Sequence, residues 1–242
     1  MANNRIAFGL CKKFNITLPK DATPKDAWAA LDKISANELK KTLQISLNLS
    51  IEKEESPRKT KPGNFSVNWD VIHSSNYRKK LYRISKNERV VSAIETRARW
   101  ALNNRDGSNT EELYAISLDN GREICKITNQ HYKQRIERTE EFNEKIRKSD
   151  INNEKILLIH NHPKSLPPSL SDINTLSSNN NISGITVGHN GSIYYYTKPK
   201  MKIPELDYNV KVRHFKQYDE ITCLEKTMEE LSEEFGFEFY KL

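Results

Sequence analysis

The stretch Ile159-His160-Asn161-His162-Pro163, followed by Pro168-Ser169-Leu170-Ser171-Asp172, places three side chains able to bind a metal within thirteen residues. On an extended chain, residues i and i+2 project to the same side, so His160 and His162 can offer two imidazoles to one point. Asp172 follows ten residues after His162, one helical turn into the next element, and a loop of that length can fold its carboxylate back to the same point. Two imidazoles and a carboxylate are a zinc donor set. Three protein ligands leave the fourth position open, the arrangement of a catalytic rather than a structural zinc. Each part has a plainer reading. An HxH pair can decorate a strand end, Ser169-x-x-Asp172 is also a helix capping box, and Pro167-Pro168 can stiffen a loop. The combination, set directly after an apolar run, selects the metal site.

The elements that must position these residues can be read from hydrophobic periodicity. Ile156-Leu157-Leu158-Ile159 has the length of a buried strand and delivers the chain to His160, and Leu170–Ser178 reads as the following helix. Upstream, Ser85-Lys86-Asn87-Glu88 forms a capping box before Val90, Val91, Ile94, Ala98 and Ala101 at helical spacing, with Arg105-Asp106-Gly107 as the stop. Leu113–Leu118 reads as a strand ended by Asp119-Asn120-Gly121, and residues 138–149 as a polar helix. Gly184–Gly188 and Ser192–Thr197 flank His189-Asn190-Gly191, a hairpin signal that reads His189 as a surface turn residue, with a place near the site as the alternative. Tyr194-Tyr195-Tyr196 reads as a half-buried strand, and His73, His131 and His214 lack metal-like spacing. Residues 219–235 predict a C-terminal helix, with Phe237 and Phe239 in a last short strand. Helices and strands thus mix, which predicts an α/β fold with a mixed central sheet of five or six strands over residues 65–242.

Ahead of it, Thr23-Pro24-Lys25-Asp26 starts a helix, and Ala27, Trp28, Leu31 and Ile34 share a face. Ser35-Ala36-Asn37-Glu38 starts a second helix, giving a small helical unit over residues 1–50. The polar stretch 51–64, with Pro57 and Pro62, reads as a linker. The length of 242 residues suits one full domain plus such an appendage. With 36% hydrophobic and 29% charged residues and no long apolar run, no membrane span is expected, and MANNRIAFGL lacks the core of a secretory signal. Cys11, Cys125 and Cys223 are scattered, fitting a reducing, cytoplasmic setting. The net charge of +7 is uneven: residues 1–62 hold 12 basic against 7 acidic side chains, and residues 205–242 hold 5 against 10. A basic surface can attract nucleic acid, but no aromatic-basic pattern accompanies it here, so nucleic acid is not expected as a partner.

At HNHPKSLPPSLSD the sequence resembles the JAMM/JAB (MPN) metalloprotease superfamily, whose motif is an upstream glutamate and then HxHPx(6)SxxD. The wording is closest to the RadC-like bacterial branch, although five residues rather than six separate Pro163 from Ser169. The resemblance implies a deaminase-like α/β sandwich, with Zn2+ held by His160, His162 and Asp172. It also implies that Ser169 helps to stabilise a tetrahedral intermediate, and that the activity is that of a peptidase or isopeptidase acting on a protein. The family's general-base glutamate precedes a strand after the first long helix. Here Glu111-Glu112-Leu113-Tyr114-Ala115 occupies that place, and the spacing to Ala115 selects Glu112 over Glu111. A wider resemblance, over VNWDVIHSSNY, TEELYAIS and LLIHNHPKSLPPSLSDI, is to domains of phage head-morphogenesis (minor capsid) proteins, which implies phage capsid proteins as partners. That resemblance also allows a structural or assembly role that keeps only the shape of the metal site, and the basic charge with the RadC-like wording leaves a nucleic-acid-associated protein as a third reading.

Overall fold

The structure, a computed structural model, describes residues 11, 16–31, 65–128 and 136–242. The expected second N-terminal helix and the 51–64 linker lie outside these residues. The chain divides into two compact units, residues 1–62 and 63–242. In the first, helix α1 (Pro24–Leu31) begins at Thr23, whose backbone N–H and hydroxyl both donate to the Asp26 carboxylate. The buried Cys11 thiol donates to the Ala27 carbonyl.

The second unit is a mixed α/β fold. Short helices α2 (Trp69–Ile72) and α3 (Ser75–Leu81) precede the long α4 (Glu88–Arg105). The chain continues through β1 (Leu113–Ser117), β2 (Glu123–Ile127), α5 (Glu140–Ile151), β3 (Ile156–His162), α6 (Leu170–Leu176), β4 (Ile182–Gly188) and β5 (Ile193–Thr197). It ends with α7 (Glu205–His214), α8 (Glu220–Phe235) and β6 (Phe239–Lys241). The strands form one six-stranded sheet in the order β2-β1-β3-β4-β5-β6, in which only β3 and β4 run parallel. Helix α6 makes the crossover between those two strands, as parallel pairing requires.

Alternation along the strands divides the core. Leu157 and Ile159 of β3 join Tyr114 and Ile116 of β1 against Val90, Ile94, Ala98 and Leu102 of α4. Ile156 and Leu158 join Leu113 and Ala115 on the other face, against Phe142 and Ile146 of α5, Ile173 and Leu176 of α6, and Met228 and Leu231 of α8. Helices therefore cover both faces, and every residue of β1, β3 and β4 is buried, the expected state of central strands.

Helix α4 begins two residues later than the Ser85 capping box suggests. Its N-cap is Asn87, whose side-chain oxygen accepts from the Arg89 backbone N–H. Among the described residues, no helix is long and apolar enough to cross a membrane.

Candidate metal centre

The two histidines stand on the last turn of the pleat in β3, on the same face as Ile156 and Leu158. Their Nε2 atoms are 3.0 Å apart. Asp172 approaches from the first turn of α6, with Oδ1 3.5 Å from His160 Nε2 and Oδ2 3.4 Å from His162 Nε2. Zinc with ligands at 2.0–2.1 Å has tetrahedral edges of about 3.3–3.4 Å; the spacings from the two imidazoles to the two carboxylate oxygens lie near that length, and the two Nε2 atoms stand somewhat closer together. Among the described residues this is the one cluster of His, Cys, Asp or Glu whose donor atoms converge in this way.

Local structure explains the convergence. Ser169 caps α6: its hydroxyl oxygen accepts from the Asp172 N–H at 3.2 Å, and its own N–H and O–H each donate to Asp172 Oδ2 at 2.7 Å. The capping box thus aims the carboxylate, and the shortened Pro163–Ser169 loop still delivers it to the histidines. His162 Nδ1 lies 2.9 Å from the Leu166 carbonyl oxygen, which can only accept. Nδ1 therefore carries a hydrogen, so that once the ring is neutral Nε2 would be the ligand atom; a hydrogen bond of this kind orients metal-bound histidines.

The trio opens onto a cavity of about 360 Å³, lined also by Glu111, Arg138, Ser169 and Tyr196. Burial works against a charge on His162, yet the Asp172 carboxylate and then Glu111 outweigh it and hold its pKa up at about 9. Asp172 is held well below the usual carboxylate range; burial opposes this, but the two imidazoles prevail. Burial raises the Glu111 pKa, with His162 and His160 pulling the other way.

The sequence reading favours Glu112 as the base, but the strand register places Glu111, not Glu112, on the histidines' face. Leu113 pairs directly with His160, so its side chain shares the histidines' face, and so does Glu111, two residues earlier. Glu111 lines the cavity. Glu112 points through the other face of the sheet, where its carboxylate accepts from the Tyr114 hydroxyl at 2.8 Å and from Asn104 Nδ2 at 3.0 Å. Arg105 Nη2 lies 3.1 Å from Glu112 Oε1, an ion pair with Arg105 7% exposed and Glu112 1% exposed.

Two further residues shape the site from behind the sheet. Asn161, fully buried, accepts from the Glu112 N–H at 2.8 Å and donates to the Thr110 carbonyl at 3.1 Å, so its amide clamps the backbone on both sides of Glu111. Asn161 Nδ2 also lies 3.2 Å from His189 Nε2, while His189 Nδ1 lies 2.6 Å from the Phe65 carbonyl oxygen. His189 is thus not a surface turn residue: it is 2% exposed, covered by the segment that enters α2. The middle position of HNH carried the signal for Asn161, since an amide one residue off the histidine face must point to the opposite side. No family model, curated protein or solved structure matches this chain.

Proposed function

We propose that this chain is a zinc-dependent peptidase or isopeptidase of the JAMM/JAB type, built on a deaminase-like α/β sandwich and acting on a protein substrate in the cytoplasm. The observation that carries the reading is the meeting of His160 Nε2, His162 Nε2 and the Asp172 carboxylate at 3.0–3.5 Å in a cavity that Glu111 also lines. The donor set fits zinc in type and spacing, and the open side of the trio faces the cavity. Zinc bound there would polarise a substrate carbonyl and bring the pKa of a water in its open position towards about 7. Glu111 stands on the face where a proton must be taken from the attacking water and returned to the leaving amine. Burial raises its pKa, which suits that exchange near neutral pH. Ser169 lines the same cavity and its hydroxyl donates to Asp172, which keeps the carboxylate in place; the contact with a tetrahedral intermediate that the resemblance implies would require that hydrogen to turn away from Asp172. The likeness of stretches between Val67 and Ile173 to head-morphogenesis domains makes phage capsid proteins the first substrates to try. The test is incubation of zinc-loaded protein with capsid proteins and isopeptide-linked conjugates. Cleavage that is lost on chelation and in Glu111→Gln supports the reading, whereas a zinc-loaded chain that cleaves none of them favours the assembly role.

A further inference from the structure

Among the described residues, six acidic, basic or histidine side chains line the cavity: Glu111, Arg138, His160, His162, Lys164 and Asp172. The histidines and Asp172 face the metal point, and Glu111 is the base. Of the two cations that remain, Lys164 is exposed at the rim, while Arg138 is half-buried inside. The Arg138 guanidinium lies over the Phe142 ring, 5.4 Å from its centre. Burial pulls its pKa down, and the carboxylate whose charge reaches it is that of Asp172, already engaged by Ser169 and the histidines. The neighbouring stretch 129–135 contains no Asp or Glu.

Tyr196 stands beside it. The phenol lines the same cavity, is 1% exposed, and lies within electrostatic reach of Arg138. Its ring crosses the bare backbone of Gly184, where a Cβ would come within 2.3 Å of Cζ and 2.5 Å of the hydroxyl. The glycine on β4 therefore lets the phenol reach the cavity. Among the described residues Arg138 has no carboxylate of its own, and desolvating such a guanidinium is unfavourable unless a ligand supplies the anion.

We infer that Arg138 and Tyr196 form a carboxylate subsite, so that the substrate presents a free carboxylate beside the scissile amide. The inference rests on reading this cavity as the substrate site. A guanidinium and a phenol supply planar, charge-assisted donors matched to a carboxylate. That carboxylate is either the terminal one, which would make the enzyme cut at a C-terminus, or an acidic side chain.

The experiment is calorimetric titration of the full chain, zinc-loaded and metal-free, with zinc content measured on each sample and the probes checked intact afterwards. The probes are N-acetyl-alanyl-alanine, its C-terminal amide, N-acetyl-aspartyl-alanine amide and inorganic phosphate. The wild type should bind one of the acids about ten- to a hundredfold more tightly than the neutral amide, the scale of one charge-assisted pair. Which acid binds identifies the source of the carboxylate. Arg138→Gln should erase the preference, Arg138→Lys should restore part of it, and Tyr196→Phe, which keeps the ring over Gly184, should weaken it severalfold. Equal binding of acids and amide, a preference that survives in folded Arg138→Gln, or phosphate binding above both acids would each overturn the inference. A wild-type chain that takes up no zinc would overturn the parent reading instead, and the metal-free titration would still decide whether the carboxylate subsite exists.

Discussion

Replacing Glu112 with Gln removes a charge from a site 1% exposed and leaves Arg105, 7% exposed, beside a neutral amide. Among the described residues the Arg105 Nε and Nη2 atoms have no hydrogen-bond partner, so the ion pair with Glu112 is the guanidinium's main compensation. Breaking one side of a buried pair costs roughly 3–5 kcal/mol. The Gln oxygen can still accept from Tyr114 and Asn104, which places the loss at the low end, about 3 kcal/mol. At about 2–4 °C per kcal/mol for a unit of this size, Tm should fall by about 6–12 °C. Glu111→Gln should behave in the opposite way. Glu111 is 8% exposed and burial already disfavours its charge, so the neutral isostere should hold or slightly raise Tm. Hydrolysis should nevertheless drop by about 10²–10⁴-fold, as for loss of a general base. Thermal unfolding by circular dichroism, zinc analysis and a cleavage assay on the same preparations separate the two. Glu112→Gln that melts like wild type while losing cleavage as deeply as Glu111→Gln would refute the register argument.

Three further outcomes are expected. The His160→Ala, His162→Ala double variant should lose zinc measured by elemental analysis, together with the rise in Tm that zinc confers on the wild type, since only Asp172 remains of the trio; undiminished zinc in this variant would remove the site. With the His162 pKa held at about 9 in the metal-free protein, zinc binding at pH 7 should displace about one proton, and affinity should climb about tenfold per pH unit towards pH 9. Calorimetry in buffers of different ionisation enthalpy measures that proton, and a release of none contradicts the paired state of His162 and Asp172. Gly184→Ala puts a methyl 2.3 Å from the Tyr196 ring, so overpacking of about 1–3 kcal/mol should lower Tm and shift the Tyr196 ring resonances; a variant with unchanged Tm and spectrum would show slack at that contact.

Much of the candidate metal site was legible because it obeys local rules. Alternation along a strand puts His160 and His162 on one side, and the capping box at Ser169 aims Asp172, all within thirteen residues. The buried strand at 156–159, the long helix from 88 and the α/β class follow from periodicity in the same way. Shorter or less periodic elements escaped it. These are α2, α3, β2 and α7, the last with no buried residue to mark a face. The two glutamates show where local rules end. Alternation assigns Glu111 and Glu112 to opposite faces, but β1 is buried along both, so its sequence carries no contrast to say which face meets the histidines. That was decided by the pairing of Leu113 with His160, a contact between residues 47 apart in the chain. His189 read as a turn residue because Asn-Gly follows it, and it is buried because Phe65 and Asn161, both distant in sequence, close over it. Arg138 and Tyr196 line one cavity because the loop before α5 and strand β5 come to the same face of one sheet, an arrangement set by strand order and layer packing rather than by any spacing along the chain.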